Sequence, residues 1–104
     1  MPFTGKEDHS ITLQEAAKLT GNYRTKAEKG AKKGGFFGKD ILQKILDQES
    51  CVGIRIYFGE ADNGTSEPIL VGVDAMENDL IGGLLAERYV PCPPFCGEKN
   101  VLNS

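Results

Sequence analysis

The sequence predicts an α+β fold, an antiparallel β-hairpin packed under two N-terminal helices, and three observations lead to it. Residues 52–58 and 69–74 alternate bulky apolar side chains with small or polar ones, the period of a strand with one buried face. Leu13, Ala16, Ala17, Leu19, Thr20, Tyr23 and Ala27, and then Ile41, Leu42, Ile45 and Leu46, mostly recur instead at three- and four-residue steps, the period of a helix with one packed face. A two-stranded hairpin is marginal alone, so its apolar face needs the helices as cover. At 104 residues the chain has the commonest domain size, and a single domain is expected over 1–104.

Residues 1–10 show no periodicity and are expected to form a flexible arm. Thr12 and Glu15 then make a capping box, in which each residue's side chain satisfies the other's backbone N–H, so a helix should begin at Leu13. Its stripe is narrow and made of small side chains, and Gly30, Gly34 and Gly35 stop it after the lysines. Gly38 or Asp40 starts the second helix, the best-formed amphipathic segment in the chain. The two strand runs follow, joined through Asp62-Asn63-Gly64, and the pairing that brings Phe58 to Ile69, Ile56 to Val71 and Ile54 to Val73 places every β-branched side chain on one face. Leu80, Ile81, Leu84 and Leu85 return to helical spacing and predict a short C-terminal helix, although Gly82-Gly83 weakens it. The proline-rich tail at 90–104 must be extended or turned.

Glycine is abundant, 13 of 104 residues, and the net charge of −3 conceals an asymmetry. Residues 18–44 hold eight Lys/Arg against two acids, whereas residues 45–104 hold three against ten. No early segment has the composition of an export signal and no apolar run is long enough to cross a membrane, so the protein is expected to be cytoplasmic, with no membrane partner. Its three cysteines are then expected to be reduced thiols, since an odd count does not suit a fully paired scaffold.

The wording Gly53-Ile54-Arg55-Ile56-Tyr57-Phe58-Gly59, then Leu70-Val71-Gly72-Val73-Asp74, with the tail Pro91-Cys92-Pro93-Pro94-Phe95-Cys96, resembles a group of small uncharacterised bacterial proteins. The resemblance implies a bacterial, soluble origin and transfers no catalytic residue.

Four constellations carry chemistry. In the expected register Arg55 lies opposite Gly72, Gly53 opposite Asp74 and Tyr57 opposite Leu70. Two glycines beside a planar cation leave a trough where a small anionic ligand would meet Arg55, Tyr57, Gly72 and Asp74. The plainer alternative is that Arg55 and Asp74 pair with each other. Cys92 and Cys96, with Cys51, are the metal or redox candidates, but the C-x-x-x-C spacing departs from strong zinc motifs and the prolines prevent the helix start that lowers a thiol pKa. Lys26 to Lys39, with Phe36 and Phe37, suit unpaired nucleic acid, against which stands the acidic remainder of the chain. Asp74, Glu77, Asn78 and Asp79 gather oxygen ligands without the order of a calcium loop.

A serine or cysteine triad needs a base, and the only histidine, His9, lies in the arm. The reading is therefore a non-catalytic binding or assembly module without a cofactor, a homodimer formed through an edge strand. Its alternatives are a metal- or thiol-dependent protein using Cys92 and Cys96, and a weak nucleic-acid binder using the lysine segment.

Overall fold

The computed structural model describes residues 2–103. Contacts gather the chain into two compact units, one of residues 2–7 with Phe37–Tyr89 and one of Asp8–Phe36 with residues 90–103. The described residues combine α-helices with antiparallel sheets, a mixed α and β architecture.

The larger unit holds α2 (Lys39–Leu46), β2 (Cys51–Glu60), β3 (Ser66–Asp74) and β4 (Leu85–Ala86), with sheet order β2-β3-β4 and all pairings antiparallel. The other unit holds α1 (Leu13–Lys26), β1 (Gly34–Phe36) and β5 (Val90–Cys92), the last two paired antiparallel. Helix α1 starts where the capping box puts it: the Glu15 N–H donates to Thr12 Oγ1 at 3.0 Å and the Thr12 N–H to Glu15 Oε1 at 3.2 Å. No residue of α1 is fully buried. In its own unit the hairpin is covered by α2 alone, not by two helices. Helix α2 has its face built around Ile45, which with Leu70 and Ala86 forms a core joined by Phe37, Ile41, Leu42, Cys51 and Ile54.

The hairpin is one residue out of the expected register. Ile56 lies opposite Leu70, Tyr57 opposite Ile69, Phe58 opposite Pro68 and Ile54 opposite Gly72. The turn decides this. Ala61 accepts from the Gly64 N–H at 2.8 Å and donates to the Thr65 carbonyl at 2.8 Å, while Gly64 takes φ +88°, which makes a three-residue loop that ends on a left-handed glycine. Turn type and loop length fix register. As a result the apolar residues divide between the faces: Ile54 and Leu70 meet α2, while Val71 and Val73, 2% and 3% exposed, lie on the face of Arg55 and Tyr57. Ile56 is 56% exposed and Phe58 96%.

The Ala61–Thr65 bond also shows which way the β2 backbone groups point. Opposed pairs alternate between bonded and non-bonded, so Tyr57 and Arg55 turn N–H and C=O toward β3, and Ile54, Ile56 and Phe58 turn theirs away from it. No strand among the described residues pairs with that outer edge.

The expected C-terminal helix does not form. Asp79 bridges to Val73, the Leu80 N–H donates to the Gly72 carbonyl at 2.8 Å, and Leu85–Ala86 joins β3 as β4. Gly82 and Gly83 disfavour a helix, and the second edge of β3 offers backbone partners in its place. Gln48 reaches this segment, its Oε1 accepting from the Leu84 N–H at 2.8 Å, and a Cβ on Gly83 would collide with it. In the tail, Val90–Cys92 is extended as a short strand, and the Lys33 N–H lengthens the β1 pairing by donating to the Cys92 carbonyl at 2.6 Å. The first part of the arm is tied to its unit: the Phe3 N–H donates to the Ala75 carbonyl at 3.0 Å.

Candidate functional site

Strand alternation puts Arg55 and Tyr57 on one face of β2, two residues apart. At the end of β3, Asp74 Oδ1 accepts from the Met76 and Asn78 N–H groups at 2.9 and 3.0 Å, and the Asp74 N–H donates to the Asn78 carbonyl at 3.0 Å. This closed turn delivers Asp79 to that same face. Arg55 Nη1 donates to Asp79 Oδ1 at 2.6 Å, Nη1 and Nη2 donate to the Glu77 carbonyl at 3.3 Å, and the Tyr57 hydroxyl donates to Asp79 Oδ2 at 2.5 Å. The ring of Phe3 lies 5.8 Å from the guanidinium carbon of Arg55, within cation–π range.

These contacts shift both charges toward permanence. The Tyr57 hydroxyl foremost, then Arg55, hold the Asp79 carboxyl below the usual aspartate range against the opposing effect of desolvation. Asp79 in turn raises the Arg55 guanidinium above its ordinary value. Asp79 is thus a poor general base and a fixed acceptor.

The sequence-predicted anion trough is accordingly altered in membership and already occupied. Arg55 lies opposite Val71, not Gly72, and Gly53 lies opposite Val73, not Asp74. Gly72 belongs to the α2 face, where a Cβ would come 2.8 Å from Gln48 Nε2 and 3.0 Å from Cys51 Sγ. Asp74 serves its own turn and does not pair with Arg55. The carboxylate of Asp79 sits where an external carboxylate would meet Arg55, and Tyr57 is the one expected member that joins Arg55 there. The oxygen cluster of residues 74–79 is likewise committed through Asp74 and Asp79 to hydrogen bonds. Sequence spacing gave no signal for the Arg55–Asp79 pair, because its partners are 24 residues apart and meet only once the turn is formed.

Cys92 and Cys96 are joined by a disulfide with a Cα–Cα distance of 4.8 Å, in place of the expected reduced pair. Cys51, in the other unit, is a half-buried thiol whose Sγ donates to the Gly53 carbonyl at 3.2 Å. Among the described residues no three His, Cys, Asp or Glu side chains converge as a metal ion would require.

The basic segment is spent partly on its own unit. Lys32 Nζ donates to the Pro93 carbonyl at 3.0 Å, Lys33 Nζ to the Asn103 carbonyl at 2.7 Å, and Arg24 Nη1 to the Leu102 carbonyl at 2.6 Å, while the Tyr23 hydroxyl donates to the Lys32 carbonyl at 2.9 Å. Phe37 packs on the α2 core and stacks with Tyr89 at 6.2 Å, which leaves Phe36, 62% exposed, as the available ring of the pair. The charge asymmetry follows the two units: residues 8–36 and 90–104 hold seven Lys/Arg against four acids, and the remainder five against eleven.

No protein family matches the chain, and no curated protein or solved structure proved significantly similar to it. No helix among the described residues is long and apolar enough to cross a membrane.

Proposed function

We propose that the chain is a non-catalytic assembly module that joins a second copy of itself through the open edge of β2. The observation that carries this reading is the ten-residue β2, which has a neighbouring strand on one side only. An unpaired edge is a template for another strand, and this one contains no proline to block it. Ile54, Ile56 and Phe58 direct their backbone groups outward, and Ile56 and Phe58 add exposed apolar area that a second strand would cover.

Sedimentation at micromolar concentration tests it. The native chain should run at twice 11.3 kDa. Ile56→Pro removes one outward N–H without touching the β3 ladder, and Phe58→Lys places a charge beside the edge; both should return the protein to the monomer with its fold intact. A native chain that runs only as monomer overturns the reading.

A second reading, thiol chemistry at Cys92 and Cys96, is favoured by the adjacency of the two sulfurs and the exposure of Cys96. Equilibration with a dithiol buffer followed by thiol counting tests it: a pair that cannot be reduced in the folded protein excludes that role.

A further inference from the structure

Helix α1 is capped at its start and carries no buried residue, and one of its faces borders an open recess. Leu19, Thr20 and Tyr23 on that face line, together with Leu102, a half-open recess of about 190 Å³, and Arg24 and Lys33 complete its lining. No acidic side chain lines it.

The two cations are held in place by the backbone of the tail. Arg24 uses Nη1 on the Leu102 carbonyl and Lys33 uses Nζ on the Asn103 carbonyl. Each bond fixes the position of a charge and takes up one of its donors, whereas a guanidinium has five N–H groups and an ammonium three. Both cations therefore keep donors for a further acceptor, at the edge of an apolar hollow and within a unit whose charge is positive.

That combination selects its ligand. A neutral apolar molecule would fill the hollow but offer nothing to the remaining donors of the two cations. A bare anion would meet the cations and leave the apolar lining wet. A molecule with a short apolar body and one carboxylate satisfies both. At about 30 Å³ per water-sized group, the recess has room for roughly six such groups.

We infer that the recess between α1 and Leu102 is a binding site for a small amphipathic carboxylate, its apolar body against Leu19, Tyr23 and Leu102 and its carboxylate on Arg24 and Lys33. The site lies in the unit that does not contain β2, so it is independent of the proposed assembly edge.

Titration of the full chain with sodium hexanoate, followed by NMR, tests it, with hexanol and sodium acetate as the two halves of the ligand. Hexanoate should shift the resonances of Leu19, Thr20, Tyr23 and Leu102 saturably, and each half ligand should bind about tenfold more weakly or worse, because a charge-assisted bond or the apolar contact is then missing. Arg24→Gln should weaken hexanoate binding by a similar factor. That variant also removes a bond to the tail, so Leu19→Gln, at an exposed position whose native side chain makes no hydrogen bond, provides a second and independent loss of affinity. Absence of saturable shifts, hexanol binding as tightly as hexanoate, or unchanged affinity in a folded Leu19→Gln protein would each overturn the assignment.

Discussion

Asp79 and Arg55, 24 residues apart in the chain, meet at 2.6 Å, and their contact fastens the turn after β3 to the face of β2. The Asp79 carboxyl is held below the usual aspartate range, so its contribution to stability is complete above the ordinary value and is lost as pH falls through about 4 toward the folded value. Asp79→Asn should lower the melting temperature at neutral pH. The gap between native and variant melting temperatures should then stay constant down to about pH 4 and narrow as the pH is lowered further. A gap independent of pH would mean that the carboxylate charge plays no part.

Leu70 and Ile56 lie directly opposite each other but differ in burial, 3% against 56%. Leu70→Ala would leave a cavity beside Ile45 and Ala86 and should cost about 2 to 5 kcal/mol. Ile56→Ala should cost under about 1 kcal/mol, since most of its side chain already meets water. Urea unfolding of the two variants ranks them, and the opposite order would restore the register that the sequence alone suggested.

Two strand glycines should respond to alanine with opposite sign. A Cβ at Gly53 meets nothing within 4 Å, so Gly53→Ala should stabilise by about 0.4 to 1 kcal/mol by restricting the unfolded chain. At Gly59 it would come 2.5 Å from Ile69 Cδ1 and 2.6 Å from the Glu67 carbonyl oxygen, and Gly59→Ala should cost about 1 to 3 kcal/mol as β2 and β3 are forced apart. Thermal melts of both proteins check the pair.

The elements with a strong local signal were legible. Thr12 and Glu15 fix the start of α1, Ile41 to Leu46 fix α2, and alternation fixes β2 and β3, because each depends on residues a few positions apart. What was lost depends on distance or on a single turn. The three-residue loop that ends at Gly64 shifted the register by one, and that shift moved Gly72 away from Arg55 and split the apolar residues between two faces. The pairing of Gly34–Phe36 with Val90–Cys92 joins segments more than fifty residues apart and too short for any period to show. Leu80 to Leu85 had helical spacing, but the open side of β3 prevailed over it.

Helix α1 should depend on its cap more than α2 does, because no α1 residue is fully buried to hold it. Thr12→Ala removes the acceptor of the Glu15 N–H and should cost about 1 kcal/mol of local helix stability. Exchange of the Glu15 amide, followed by NMR, should quicken accordingly. If it does not, the start of the helix is held by something other than its capping box.

The tail disulfide closes a loop of five residues, Cys92 to Cys96, between β5 and the turn that follows it. The chain-entropy model gives about 2 kcal/mol for so short a loop, so reduction should loosen the segment without abolishing the fold. The amides that report on it are Phe95, within the loop, whose N–H donates to the Pro91 carbonyl just before it at 3.0 Å, and Lys33, whose N–H donates to the Cys92 carbonyl at its edge. If the bridge holds β5 against β1, both should exchange about tenfold faster or more after reduction or in Cys92→Ser/Cys96→Ser, as expected when a local opening becomes easier by that free energy. Lys32 Nζ also grips this loop through the Pro93 carbonyl, so Lys32→Met should add to the effect of reduction. If Phe95 quickens and Lys33 does not, the bridge orders only its own turn, and the β1–β5 pairing rests on its backbone bonds alone.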